Sequence, residues 1–216
     1  MIIDERLSIF IDALEWSLPE YLMELEQEAL CSQVPIIRRQ MQSFLGFILR
    51  LVQPGNILEI GTAVGFSSLL ISEYVPEDTG ITTIEKVPAR ILAAKRNFRK
   101  YGREGRITLL EGDAAQVLKE LAAQGKRFDF VFMDAAKGQY MNFLPDILEM
   151  LSHPGILVTD NVLQDGDVIQ SRYAVNRRDR TIHGRMREYL YQLTHSEELD
   201  TVILPVGDGI TVTRQI

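Results

Sequence analysis

Phe128-Asp129-Phe130-Val131-Phe132-Met133-Asp134-Ala135-Ala136-Lys137 is an apolar run that stops at an acid and, three residues on, reaches a lysine. A short apolar run bounded by polar residues reads as a strand buried on both faces, as in a parallel sheet. A second run, Gly155-Ile156-Leu157-Val158-Thr159, stops at Asp160-Asn161. Both clusters then fall at the carboxyl ends of neighbouring strands, the edge of an open α/β sheet where ligands bind. Two carboxylates, an amide oxygen and a lysine meeting there suggest a hard cation beside a catalytic base. Taken singly, Asp134 also reads as a helix N-cap and Asp160-Asn161 as an ordinary turn.

The surrounding pattern supports the sheet. Strands are predicted at 56–60, 80–85, 106–111, 128–133 and 155–159, with helical patterns near 65–75, 88–101, 113–124 and 140–151. Strand and helix alternating at this rhythm predict a Rossmann-like, doubly wound, mostly parallel sheet. A further helix, near 178–195, precedes β segments at 199–204 and 209–214. Pro205-Val206-Gly207-Asp208-Gly209 between them is a turn signal, so an antiparallel hairpin should close the seven-stranded sheet at its edge. Ahead of the first strand, Ile3, Leu7, Phe10, Ile11 and Leu14 share one helical face, which Trp16 closes. Pro19 and Pro35 open two more helices, towards Leu30 and Val52. The reading is one domain, 1–216: a helical cap over 1–53 and an α/β core over 54–216. The cap and the closing hairpin could support a homodimer.

The 216 residues suffice for one α/β core, and 46% hydrophobic with 25% charged residues is ordinary for a soluble protein. Cys31 is the single cysteine, consistent with a reducing cytosol and expected to be a small buried residue on a helix. Acids stand where a signal peptide needs positive charge, and no apolar stretch has the length of a membrane span. A cytoplasmic location, with no membrane partner, is expected. The net charge of -7 argues against nucleic-acid binding over the whole surface. It is unevenly spread: Arg172, Arg177, Arg178, Arg180, Arg185 and Arg187 face the single Asp179 between Val168 and Arg187. Such a face can still engage phosphates. Lys95, Arg96, Arg99, Lys100, Arg103 and Arg106 form a second basic stretch, read as a solvated helix face. His153, His183 and His195 lack metal-site spacing and read as surface or cap residues.

Ile57-Leu58-Glu59-Ile60-Gly61-Thr62-Ala63-Val64-Gly65-Phe66-Ser67 is a strand, a glycine turn and a helix start. Gly61 permits a sharp turn, and Gly65 close approach of a ligand to the backbone. The G-x-x-x-G spacing lacks the third glycine of dinucleotide enzymes, so a pyrophosphate cradle fits poorly. The next strand ends in Glu85, placed to accept from ribose hydroxyls. The third ends in Glu111-Gly112-Asp113-Ala114, an acid and a small residue that could border an adenine. Glu85 and Asp113 could equally cap the following helices.

With these stretches in view, E-x-G-T-x-x-G-x-S, the Glu85 strand, Gly112-Asp113-Ala114, Asp134-x-x-Lys137 and Thr159-Asp160-Asn161-Val162, the chain resembles the class I, metal-dependent O-methyltransferases. That group includes catechol and caffeoyl-CoA O-methyltransferases. The resemblance implies S-adenosylmethionine (SAM), with Glu59, Gly61, Ala63 and Ser67 around its methionine part. Glu85 would take the ribose and Asp113 and Ala114 the adenine edge, while Ile37 and Asp134 border cofactor and acceptor together. It further implies Mg²⁺ on Asp134, Asp160 and Asn161, with Asp134 and Lys137 as the catalytic residues. Within the group the chain is most similar to bacterial methyltransferases acting on 5-hydroxyuridine in tRNA. That likeness rests on Val34-Pro35-Ile36, Asp134-Ala135-Ala136-Lys137-Gly138-Gln139-Tyr140, Thr159-Asp160-Asn161-Val162-Leu163, Arg177-Arg178 and Leu204-Pro205-Val206-Gly207-Asp208-Gly209.

The implied reaction is O-methylation of the wobble 5-hydroxyuridine, at tRNA position 34, to 5-methoxyuridine. The alternative is a small catechol or caffeoyl-CoA-type acceptor. A catechol and 5-hydroxyuracil both offer two neighbouring ring oxygens to one cation. Lys137 would take the acceptor proton or stay charged and stabilise the oxyanion. The connection from Leu163 to Arg180 is expected to form a mobile lid over the acceptor. There Arg177, Arg178 and Arg180 would meet phosphates of the anticodon loop, and Tyr140 would stack on the base or sit in the core.

Overall fold

The computed structural model describes residues 5–216. Ile3, assigned to the first helical face, lies outside the described residues. Seven strands form one sheet: β1 (Asn56–Ile60), β2 (Gly80–Glu85), β3 (Ile107–Glu111), β4 (Phe128–Met133), β5 (Leu151–Thr159), β6 (Leu199–Leu204) and β7 (Ile210–Gln215). Their order is β3-β2-β1-β4-β5-β7-β6. The first five run parallel; β7 pairs antiparallel with both β5 and β6. The closing hairpin is at the sheet edge, as expected, with β7 on its inner side. Strand β5 begins at Leu151, earlier than 155. Its opening segment, Ser152-His153-Pro154, is polar or conformationally restricted and carries no apolar signal.

The helices are α1 (Glu5–Asp12), α2 (Glu20–Cys31), α3 (Arg39–Val52), α4 (Phe66–Tyr74), α5 (Pro88–Lys100), α6 (Ala114–Ala123), α7 (Tyr140–Met150) and α8 (Arg180–His195). Local chemistry starts several of them. Pro88 occupies the first turn of α5, where no N–H is needed, and Asp113 caps α6 by accepting from Ala115 N at 3.0 Å. Among the described residues no helix is long and apolar enough to cross a membrane.

Strand periodicity sorts the core into two layers. Ile57, Phe130, Phe132 and Val158 point to one face, where they join Leu25, Met41, Leu45 and Leu69 of α2, α3 and α4. Leu58, Val131, Met133 and Leu157 point to the other, against Leu118, Ile147, Met186 and Tyr189 of α6, α7 and α8. Both faces are covered, which is why the central strands read as unbroken apolar runs rather than alternating ones. The N-terminal helices α2 and α3 thus share a core with the sheet. Three minor expectations fail. Cys31 is exposed at the end of α2, and Trp16 stands exposed beyond α1. His183 is buried on α8, its Nε2 3.2 Å from the Gln170 carbonyl oxygen.

The basic stretch of α5 and its following turn is only partly a solvated face. Lys95 and Arg99 pair with Glu111 and Glu104 at the surface. Arg103 reaches Glu73 at 2.7 Å, and Arg106 donates to the carbonyls of Ser72 and Val75 at 2.9 Å each. These last two arginines hold the α4–β2 connection.

Candidate active site

The carboxyl ends of β1, β2, β3, β4 and β5 surround one cavity of about 780 Å³. That is the size range of a ligand pocket taking a nucleoside cofactor and a small acceptor. Gly61, Ala63, Glu85, Asp113, Ala114 and Ile37 line one part; Asp134, Lys137, Asp160 and Asn161 line another. Residues from five strand ends, separated by up to a hundred positions in sequence, therefore meet as the motifs suggested.

Gly61 explains how the two parts touch. Its φ is +110°, and a Cβ there would lie 2.0 Å from the backbone oxygen of Asp134. The end of β4 is held close because Asp134 N donates to Ile60 O at 3.0 Å. Only glycine admits that approach. Gly65 has a different reason from the one expected: a Cβ would meet the Phe98 ring at 2.5 Å, so α5, not a ligand, fills its space. Ala63 (φ 46°) and Asn161 (φ 62°) are left-handed without being glycine, and both face the cavity. Such conformations cost free energy and collect at functional sites.

On the Glu85 side, the carboxylate is held by backbone donors: Ala63 N to Oε2 at 3.0 Å, and Lys86 N and Val87 N to Oε1 at 2.8 and 2.9 Å. Asp113 does act as a cap, and it still faces the cavity with Lys86 Nζ at 3.2 Å. Glu59 and Ser67 do not line the cavity. Glu59 is fully buried beneath the glycine turn, bound by the hydroxyls of Ser68 and Thr83, with Oε1 lacking a partner. Burial raises its pKa above the ordinary value. Its place is structural support under β1, α4 and β2.

On the acidic side, Asn161 Nδ2 donates to Asp134 Oδ1 at 2.9 Å, and Asn161 N donates to Asp160 Oδ1 at 2.7 Å. Burial pushes the Asp160 carboxyl up from 3.8 to about 8, with the Asp134 charge adding to it. Asp134 is likewise raised by burial, against the opposing pull of Asn161 and Lys137. Two desolvated carboxyls with one neighbouring lysine are under-compensated, and a divalent cation is what such an oxygen set accepts. The donors would be Asp134, Asp160 and Asn161, the last after rotating its amide to present Oδ1. Among the described residues no three His, Cys, Asp or Glu side chains form a metal cluster, so the amide is needed to complete this set.

A pH prediction follows. Without a cation, the folded chain retains the Asp160 proton up to about pH 8, whereas an ordinary aspartate loses it near 3.8. The group's contribution to stability is complete below the lower value and lost as pH rises through the upper one. In chelator, Tm should fall by several degrees from pH 5.5 to 8.5, and Asp160→Asn should flatten that fall. A Tm that rises across the window in the unsubstituted protein contradicts this.

The acceptor-side expectations are corrected in part. Tyr140 is 1% exposed; its hydroxyl donates to Asp160 O at 3.1 Å and its ring sits edge-on to Tyr189 at 5.5 Å. It braces the Asp160 backbone from the core and cannot stack on a base. Arg180 is engaged with the carbonyls of Val175 and Tyr173, at 3.3 and 3.4 Å. Arg185 and Arg187 likewise hold the carbonyls of Gly138 and Val168. Arg177 and Arg178 stay exposed, away from the cavity wall. Nor does the 163–180 segment roof this cavity; it folds into 3₁₀ turns over Gln164–Ile169 and buries Val168 and Val175.

Two site residues were given no role in the sequence reading. Arg38, after Val34-Pro35-Ile36, and Asp208, inside the hairpin turn, both line the cavity and pair at 2.8 Å. Burial lifts Asp208 to about 6, with Asp165 contributing. Neither sits at a strand end of the parallel sheet, where sequence reading looks first. The turn also props the acidic cluster: Val162 N and Leu163 N donate to Gly209 O and Asp208 O at 2.9 Å each.

A doubly wound sheet with a cavity at its carboxyl edge is the arrangement of a ligand-binding α/β protein. The chain belongs to the O-methyltransferase family, whose model matches residues 12–216. Caffeoyl-CoA O-methyltransferase 2 of Populus trichocarpa is 32% identical over 177 residues, covering 80% of this chain and 72% of its own. The O-methyltransferase ankF of Aspergillus thermomutatus is 32% identical over 175 residues, 74% and 70% of the two chains. Among solved structures, the SAH-bound methyltransferase PaMTH1 of Podospora anserina matches with a TM-score of 0.87 at 30% identity. That match covers 98% of this chain and 94% of the other.

Proposed function

We propose that the chain is a SAM- and divalent-cation-dependent O-methyltransferase acting on an acceptor with two neighbouring oxygens. The observation that carries it is the cavity itself, which joins a Glu85–Asp113 nucleoside edge to the buried Asp134–Asp160–Asn161 group. A SAM-dependent activity is further supported by the family match and by the SAH-bound relative. Glu85 would accept from ribose hydroxyls with the lone pairs its backbone donors leave free, and Ala114 would lie against the adenine. Gly61 and Ala63 would leave room for the methionine end. Mg²⁺, when bound by Asp134, Asp160 and Asn161, would supply Lewis acidity to the acceptor oxygens.

The chain's own residues do the remainder. Asp134 and Asp160 would hold the cation beside the acceptor's oxygens, and the buried walls exclude water from the line of attack. Lys137 receives the hydroxyl proton on Nζ or, if already charged, offsets the oxyanion left when that proton passes to solvent. The oxygen's lone pair forms the new O–CH₃ bond as the C–S bond breaks, and the sulfonium leaves as a neutral thioether.

The acceptor has two readings. Several of the curated relatives are named for caffeoyl-CoA, and on that ground a small phenolic acceptor is the better supported. The buried Tyr140 also removes one expected nucleobase contact. The reading of 5-hydroxyuridine at the tRNA wobble position rests on the sequence likeness and on exposed Arg172, Arg177 and Arg178. Labelled SAM with tRNA that carries 5-hydroxyuridine, and in parallel with catechol and caffeoyl-CoA, divides them. Nucleoside mass spectrometry showing 5-methoxyuridine selects tRNA; rapid labelling of only the phenolics selects the small acceptor. Either reaction should stop in EDTA and return with Mg²⁺. Full activity in chelator overturns the cation's role.

A further inference from the structure

A second cavity, of about 650 Å³, adjoins the first. The two share Ile36, Ile37, Arg38 and Gly207, so Arg38 stands at their junction. Ser8, Ile9 and Asp12 of α1 and Leu30 of α2 form its outer wall. An acceptor whose reacting ring lies beside Lys137 has this space open to its far end.

The junction carries unengaged cationic donors. Arg38 makes both of its ion pairs through one nitrogen, Nη2: to Asp208 at 2.8 Å and to Asp165 at 3.2 Å. Among the described residues its Nε and Nη1 have no hydrogen-bond partner, and the side chain is 40% exposed. Arg39, on the same wall, has a buried Nη1 without a hydrogen-bond acceptor, 3.9 Å from Glu26. The other acids there keep their charge but are held by neutral amides: Asp12 accepts from Gln40 at 2.7 Å and Glu26 from Gln42 at 2.9 Å. Both arginines open α3, a helix of fourteen residues that no side chain caps, so the helix end adds positive potential at the same place. A planar guanidinium with two free N–H groups is suited to a phosphate, which it can bind with paired hydrogen bonds.

We propose that the second cavity is a distal acceptor subsite, in which Arg38, aided by Arg39, receives a phosphate carried by the acceptor. Asp165 is the competitor that such a phosphate must displace or outbid for Arg38. The proposal rests on the O-methyltransferase reading above and narrows its substrate class to phosphate-bearing acceptors.

Calorimetric titration of pyrophosphate into the full chain tests the subsite directly. Arg38→Gln should weaken binding about tenfold, and Asp165→Asn should tighten it. No detectable binding to the unsubstituted protein, or an affinity unchanged in both variants, overturns the assignment. Kinetics supply a second reading from acceptor pairs that differ in phosphate. One pair is caffeoyl-CoA and the caffeoyl thioester of N-acetylcysteamine; the other is 5-hydroxyuridine 5′-monophosphate and its nucleoside. Within whichever pair is methylated, the kcat/KM preference for the phosphorylated member should collapse in Arg38→Gln through KM, and Arg38→Lys should restore part of it. A preference untouched by Arg38→Gln overturns the proposal, and the pair with the larger preference identifies the phosphate's source. Failure of every acceptor would count against the methyltransferase reading, while the pyrophosphate titration still decides the subsite.

Discussion

On the proposed cation role, Asp134→Ala should reduce methyl transfer by at least about three orders of magnitude, since polarisation by a bound cation supplies several kcal/mol and each 1.4 kcal/mol is tenfold. S-adenosylhomocysteine should still bind, because the Glu85 edge and the Gly61 turn are built from other strand ends. The loss is large because the two acids act as a unit. Removing Asp134 also takes away the acceptor of the Asn161 amide at 2.9 Å, so a second candidate donor loses its orientation. Single-turnover rates with labelled SAM, beside calorimetry with S-adenosylhomocysteine, separate the two effects. Binding lost in step with turnover would show that Asp134 serves the cofactor first. Turnover retained at a tenth or more of the original would remove the acidic group from the chemistry altogether.

Gly61→Ala should be the most damaging single methyl in the chain, costing about 3–5 kcal/mol of stability. Two penalties combine there. The backbone is left-handed at φ +110°, and the added Cβ would stand 2.0 Å from the Asp134 oxygen. Retreat is blocked, since β4 is tied by Asp134 N to Ile60 O and Gly61 N is tied to Ile84 O at 3.1 Å. Relief would have to part β1 from β4, and with them the two sides of the cavity. The urea midpoint should fall with little change in m, and affinity for S-adenosylhomocysteine should fall with it. By contrast Gly166→Ala pays only the φ term, because nothing lies within 4 Å of its added Cβ. Equal losses at Gly61 and Gly166 would contradict the collision argument.

The parallel sheet was legible because its strands are buried on both faces, and burial on both faces writes itself as an uninterrupted apolar run. Phe128–Met133 and Asn56–Ile60 match their predicted bounds, as do Gly80–Glu85 and Leu199–Leu204. β5 was read short because only Leu151 pairs with β4 ahead of a register shift, and Ser152, His153 and Pro154 carry no apolar signal before Ile156 takes up the pairing. The acids at strand ends were also legible: topology alone places Glu85, Asp113, Asp134 and Asp160 on one edge.

Side-chain direction was not legible. Tyr140 follows Lys137 closely enough to suggest the acceptor, yet the 3₁₀ turn over Lys137–Gln139 brings it to the start of α7 in the core against Tyr189. Glu59 belongs to a motif at the cofactor end, but alternation along β1 turns it under the glycine loop, where Ser68 and Thr83 bind it. Arg180, Arg185 and Arg187 read as a phosphate-binding row, but their guanidinium groups hold carbonyls of the chain itself.

Chain order and hydrophobic period alone determined the doubly wound sheet and the edge at which Asp134, Lys137, Asp160 and Asn161 collect. Those depend on local patterns and on the rule that parallel strands deliver their ends to one side. Only the tertiary structure decided what closes the site at its far end. Arg38, Asp165 and Asp208 come from a helix start, a turn-rich segment and a hairpin tip, and meet within 2.8–3.2 Å. No local period relates three such loops; the packing of α3 and the β6–β7 turn against the sheet brings them together.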